Sequence, residues 1–195
     1  MEQLKKIKAR FADWFEKDPK YDLVELTDID VTEDPVRPEL DLAFRLNDGR
    51  KIYGLHNESK QLMAIICVAF CSGVPSSVEE MSAMSKDAWL QATHRSGQLG
   101  NVAVAYTVWA KMKGGGRHIL NEIYKKFKRE HVIDRLVTLS PKTEMARKFH
   151  MSNGAVEFRE NEDTINYEYD ITLEEWEARV QKVKDRFKKI TWRLH

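Results

Sequence analysis

Apolar positions along this chain change period several times, and each change marks a candidate element. Leu4, Ile7, Phe11 and Trp14 recur at helical spacing and predict an amphipathic helix that ends near Asp18-Pro19. Tyr21 to Leu26 reads as a short strand, and Glu33 to Glu39, with Pro35 and Pro38, as an irregular connector. Asp41 to Leu46 alternates imperfectly, Asn47-Asp48-Gly49 is a turn signal, and Lys51 to His56 returns as a strand, so this pair predicts a β-hairpin. Gln61 to Phe70 is almost wholly apolar and reads as a buried central strand, although periodicity alone also admits a buried helix.

Gly73-Val74-Pro75 breaks that run, and Ser76-Ser77-Val78-Glu79-Glu80 holds two overlapping S-x-x-E capping boxes, so a helix should begin there. Asn101 to Ala110 is a second buried strand candidate. Arg117 to Glu130 places Ile119, Leu120, Ile123, Tyr124 and Phe127 on one side of a helix, and Ile133 to Leu139 reads as a strand again. Strand, helix, strand in that order implies a parallel pair joined by a right-handed crossover. A helix from about Thr143 to Asn153, strands near Val156 to Arg159 and Ile165 to Tyr169, and a long helix from Thr172 complete the pattern. In the last helix Thr172 and Glu175 form a capping box, and Leu173, Trp176, Val180, Val183, Phe187 and Ile190 keep a three-four alternation. That stripe fits packing on its own domain; a homo-oligomer formed through it is the sharper alternative.

Composition acts mainly by exclusion. With 195 residues, 42% hydrophobic and 32% charged, the chain is long enough for one domain with a substantial core. A formal charge of +1 provides no global field, so neither nucleic acid nor an anionic membrane is an expected partner. No run approaches the about 18 apolar residues of a spanning helix, and Met1 to Lys6 lacks a secretory apolar region, which implies a cytoplasmic location. Cys67 and Cys71 lie in the apolar run without a second pair and read as reduced core thiols. His56, His94, His118, His131 and His195 show no ligand spacing, so no metal site is inferred. No G-x-S-x-G elbow supports a Ser-His-Asp hydrolase.

Candidate chemistry centres on three consecutive glycines. Gly114, Gly115 and Gly116 stand between a buried strand and a helix, where the backbone can approach a ligand closely and free N–H groups attract phosphate oxygens. Neither the nucleotide P-loop nor the dinucleotide fingerprint is present. Taken alone, the triplet is as much a flexible turn as a binding loop.

Lys111-Met112-Lys113-Gly114-Gly115-Gly116 at the end of a central strand resembles the (Q/R)-x-x-G-x-(G/A) loop of the GNAT acyltransferase superfamily, and the order of elements agrees. The resemblance implies an α+β fold: a mixed, mostly antiparallel sheet with a splayed central strand pair, flanked by helices that include the two terminal ones. It implies one acyl-CoA domain over residues 1–195, with a lead-in to residue 40, a core over 41–170 and a terminal helix over 172–195. The loop amides would hold the pyrophosphate of coenzyme A, with Lys111, Lys113 and Arg117 near phosphates, and Tyr106, Thr107 and Val108 would lie along the thioester. Many members carry a tyrosine after the fifth strand that protonates the departing thiolate; the corresponding residue here is His150.

Four blocks in order are similar to the catalytic domain of malonyl-CoA decarboxylase, a GNAT-fold family. They are Arg50 to His56, Val68 to Glu79, Ala105 to Val108, and Thr138-Leu139-Ser140-Pro141 through Phe149 to Val156. Loss of carbon dioxide from malonyl-CoA leaves a thioester enolate, so a site needs donors at the thioester oxygen, a group that orients the carboxylate, and an acid. The resemblance implies Ser76, or less well Ser77, for the carboxylate, and His150, with a pKa near neutrality, as proton donor. Ser140 joins the coenzyme-binding residues. Ser76 and Ser77 equally fit a helix N-cap, and His150 a hydrogen-bonded core histidine. A coenzyme A thioester is then the substrate, with no further cofactor and no metal. Two alternatives stand beside decarboxylation: a CoA-dependent N-acetyltransferase acting on an amine, with His150 or Glu157 handling the proton, and a non-catalytic acyl-CoA-binding interaction module. The chain departs from the decarboxylase pattern in two ways. Only about 40 residues precede the similarity, where that family carries a sizeable helical domain, and the glycine loop is shorter.

Overall fold

The apolar run becomes a ten-residue strand, β3 (Leu62–Cys71), nine of whose residues are buried. Its alternate side chains serve two separate cores, which is why the run shows no polar alternation. Ala64, Ile66, Val68 and Phe70 pack on one side with Ile119, Ile123 and Phe127, whereas Ile65, Cys67, Ala69 and Cys71 pack on the other with Met81. A helix of the same composition could not divide its residues in this way. The computed structural model describes residues 21–95, 99–130 and 133–169, so both predicted terminal helices lie outside the described residues.

Around β3 the other elements are β1 (Asp22–Leu26), α1 (Leu42–Leu46), β2 (Lys51–His56), α2 (Val78–Arg95), β4 (Val102–Ala110) and α3 (Gly115–Arg129). Then follow β5 (Arg135–Thr138), β6 (Ser140–Pro141), α4 (Glu144–Ser152), β7 (Val156–Glu160) and β8 (Thr164–Glu168). They form an eight-stranded sheet in the order β1-β2-β3-β4-β5-β8-β6, with β7 also paired to β8. β4 and β5 are the parallel pair, joined through α3 as the strand-helix-strand pattern implies; the remaining pairs are antiparallel. The result is the mixed α+β architecture expected, with α2 against one face and α3 against the other.

One expectation fails. Residues 41–46 are not the first arm of a hairpin but the short helix α1, and β2 pairs with β1 instead. The Asp41 carboxylate accepts from the Phe44 N–H as an N-cap, and the helix turns Arg45 inward to a fully buried partner. The turn signal itself is real: Asp48 and Gly49 both adopt positive φ, and the Arg50 N–H closes the turn on the Asn47 carbonyl.

Candidate functional site

β4 and β5 pair only from Val102 to Ala105 against Arg135 to Thr138. The Leu139 N–H makes a last bond to the Ala105 carbonyl, after which β5 hands over to β6 and β4 runs on alone to Ala110. This is the splay expected between the central strands, and it opens a notch in the sheet. A bulge accompanies it: Cys67 faces Thr107 while Val68 faces Ala105, leaving Tyr106 as the extra residue. The bulge breaks side-chain alternation, so Tyr106 and Thr107 both point to the α2 face.

At the far end of β4 the chain turns sharply into α3. The N–H groups of Lys111 and Met112 share the Met63 carbonyl, and Gly114 caps the helix at φ +83°. Gly115 is sterically required, because a Cβ there would lie 2.4 Å from the Met63 carbonyl oxygen; one at Gly116 would lie 3.3 Å from the Phe149 ring. The amides of Lys113, Gly114 and Gly116 have no acceptor among the described residues. Unbonded amides at a helix start attract anions. Lys113 and Arg117 are exposed beside it, whereas Lys111 is ion-paired with Glu33.

The α2 face of the notch is charged. Asp34 and Arg45 form a fully buried ion pair at 2.8 Å, and the Thr107 hydroxyl donates to the Asp34 carboxylate at 2.8 Å. Arg45 also donates to the carbonyls of Leu40 and Arg37 and to Cys67 Sγ. Burial pushes the Cys67 thiol up to about 11 against the opposing pull of Arg45, so it stays protonated at neutral pH. Arg37 donates from Nε to the Tyr106 carbonyl and from Nη2 to the Leu139 carbonyl, both at 3.0 Å, and so spans the mouth of the splay.

Ser76 and Ser77 lie on this face, at the head of α2. Ser76 donates through both its amide and its hydroxyl to the Glu80 carboxylate, and the Ser77 hydroxyl accepts from the Glu80 N–H. The two Ser76 bonds hold the Glu80 carboxyl below its usual range. The preceding loop is fastened to β8 and β7: Thr164 donates to the Ser76 carbonyl, Asn166 to that of Pro75, and Arg159 to that of Val74.

The α4 face is neutral. Thr143 caps α4 by accepting from the Ala146 N–H, and the helix presents His150 to the sheet, 6% exposed. Its Nε2 lies 2.8 Å from Ser140 Oγ, its Nδ1 lies 2.8 Å from the Tyr169 hydroxyl, and its ring stacks on Tyr167 at 4.7 Å. Ser140 in turn donates to Thr138 Oγ1 at 3.0 Å. Burial lowers the imidazole to about 4 rather than near neutrality, so the ring is uncharged at pH 7 and carries one N–H.

His150 and Ser76 are not in contact. Thr164 and Asn166 meet the serine loop, whereas Tyr167 and Tyr169 meet the histidine, so the two lie against opposite faces of β8. Thr107 belongs to the notch through its backbone, its side chain being held by Asp34. Val108 faces α3, alongside Gly116 and Phe149. Sequence reasoning missed Arg37, Asp34, Arg45 and Tyr169. A lone charge in the apolar Leu42-Ala43-Phe44-Arg45-Leu46 was the available signal for one of them; Arg37 between two prolines offered none.

No family model matches the chain, and no curated protein does. Solved structures do match. A malonyl-CoA decarboxylase from Agrobacterium vitis aligns at TM-score 0.52 and 19% identity, covering 72% of this chain and 38% of that one. A Bacillus subtilis acetyltransferase in complex with CoA aligns at TM-score 0.50 and 11% identity, covering 79% of this chain and 99% of that one. The fold is therefore GNAT-like, and the chain spans under two-fifths of the length of the decarboxylase it resembles.

Proposed function

We propose that the chain binds a coenzyme A thioester in the β4–β5 notch and decarboxylates malonyl-CoA, or a related malonyl thioester, to acetyl-CoA. The observation that carries this reading is the early end of the parallel pair at Ala105 and Leu139 beside a glycine turn that tolerates no side chain at Gly115. The free amides of Lys113, Gly114 and Gly116, with Lys113 and Arg117, receive the pyrophosphate; Lys111 is the third cation there. The pantetheine arm takes the unpaired edge of β4 along Tyr106, Thr107 and Val108, where backbone N–H groups meet the thioester oxygen.

In the reaction the bond between the carboxylate carbon and the methylene carbon breaks. Its electron pair becomes the thioester enolate, carbon dioxide leaves, and a proton is added to carbon. The notch opens to both faces, so the carboxylate can lie toward the head of α2, with Ser76 and Ser77, while the proton comes from the α4 side. His150 is the donor. Both ring nitrogens are bonded, so the proton passes through a hydroxyl: Ser140 gives its proton to the enolate carbon and takes the His150 Nε2 proton, Tyr169 returns one to Nδ1, and solvent reprotonates the phenolate.

Mass spectrometry of malonyl-CoA incubated with the protein tests this. The expected result is acetyl-CoA and carbon dioxide, with the rate lost by about a hundredfold or more in His150→Ala. An unchanged rate in that variant defeats the assignment of His150. Acyl transfer to an amine is the second reading, favoured by the near-complete coverage of the acetyltransferase. Intact malonyl-CoA together with an acylated amine formed from acetyl-CoA would select it, and CoA binding without turnover of any thioester would select the non-catalytic alternative.

A further inference from the structure

Two carbonyls at the splay, those of Tyr106 and Leu139, are met by a single side chain. Arg37 spends one edge of its guanidinium, Nε–H and one Nη2–H, on the Tyr106 and Leu139 carbonyls. The terminal edge, Nη1 with the second Nη2 hydrogen, has no acceptor among the described residues. Parallel donors in that plane match the two oxygens of a carboxylate. The position is pre-organised. The Arg37 carbonyl accepts from the buried Arg45, which Asp34 holds, and prolines stand at positions 35 and 38. Asp34, Glu39 and Glu79 are the acids in its field. Asp34 is already occupied by Arg45 and Thr107.

We propose that Arg37 is a specificity residue: its terminal edge receives the distal carboxylate of a carboxyacyl thioester threaded through the notch, so the site selects dicarboxylic over plain acyl groups. This rests on the acyl-CoA reading above and adds to it the residue that recognises the carboxylate of the acyl group. The bridging bonds make Arg37 a structural clamp as well, and the two roles use different hydrogens. Arg37 is built into the point where the two strands part, so the carboxylate it holds lies next to the thioester, at the reach of a short acyl chain.

Two inert thioethers separate the roles. S-(2-carboxyethyl)-CoA and S-propyl-CoA share a three-carbon chain and differ in the terminal carboxylate that replaces a methyl, and neither can be decarboxylated through an enolate. Calorimetry on the full chain should give a carboxyethyl preference of about tenfold or more. In Arg37→Gln the ratio should fall to within about twofold of unity, whatever loss of the bridge does to the two affinities together, and Arg37→Lys should lie between. A wild-type ratio near one overturns the proposal, as does a ratio retained in Arg37→Gln. Should Arg37→Gln fail to fold by circular dichroism, the wild-type ratio and Arg37→Lys decide. If neither thioether nor coenzyme A binds the wild type, the acyl-CoA reading fails and takes this inference with it; if coenzyme A and both thioethers bind without preference, only this inference fails.

Discussion

On the α2 face of the notch a buried ion pair and a second arginine hold the parted strands; on the α4 face a hydroxyl, an imidazole and a phenol do the same without a charge. Asp34 and Arg45 can be buried because each carboxylate oxygen and most guanidinium hydrogens find partners in Thr107, Leu40 and Arg37. His150 can be buried because it gives up its charge, its pKa lowered by desolvation. The same backbone defect is therefore lined by a buried, charge-paired network on one side and a neutral hydroxyl–imidazole–phenol chain on the other.

Removing one partner from each face should reveal the asymmetry most strongly. Asp34→Asn leaves Arg45 as an uncompensated buried charge and should cost roughly 3–5 kcal/mol in urea unfolding. Replacing both, as Asp34→Leu with Arg45→Met, should restore most of that loss, since a packed apolar pair avoids desolvating either ion. Ser140→Ala, on the neutral face, should cost only about 1–2 kcal/mol. Equal losses on the two faces would mean that the ion pair is not the main support of the lead-in segment.

Acid should act on the other face. His150 has a folded pKa of about 4 against an ordinary value of 6.5, so between these values the unfolded chain binds the extra proton. Its contribution is present above pH 6.5 and is lost as pH falls toward 4, by up to roughly 3 kcal/mol. Unfolding free energies measured from pH 7.5 to 4 should therefore fall less steeply in His150→Gln than in the wild type. Parallel slopes in the two proteins would place the imidazole in contact with water and remove the neutral character of that face.

Much of this architecture was legible because local pattern and tertiary role agree. Leu62 to Cys71 is apolar throughout because both its faces are covered, and the two S-x-x-E boxes announce α2 because Ser77 does bond the Glu80 amide. Residues 41–46 were not legible as a helix, because Arg45 turns inward only once Asp34, eleven positions earlier, is there to meet it. The orientation of Thr107 was hidden for a different reason: a single bulged residue at Tyr106 shifts side-chain parity, and nothing in an apolar strand sequence marks where the shift falls. His150 was visible as a residue of interest, but its neutral state depends on Tyr169, nineteen positions on, closing the ring's second nitrogen. Arg37 owes its partners to the splay itself.

The smallest test compares one hydroxyl on each face. Thr107→Val removes a donor to the buried Asp34 carboxylate, and bonds to charged groups are worth roughly 1.5–3 kcal/mol. Tyr169→Phe removes a neutral bond to His150 Nδ1 and should cost about 1 kcal/mol, because the ring can keep its other bond to Ser140 by choosing its tautomer. Double-mutant cycles sharpen the distinction. Thr107→Val should be strongly non-additive with Asp34→Asn, whereas Tyr169→Phe should couple to His150→Gln and be additive with Thr107→Val, since the two hydroxyls share no partner. Coupling between Thr107 and Tyr169 above about 0.5 kcal/mol would mean that the two faces act as one unit across the notch, so that the charge on one side helps set the protonation on the other.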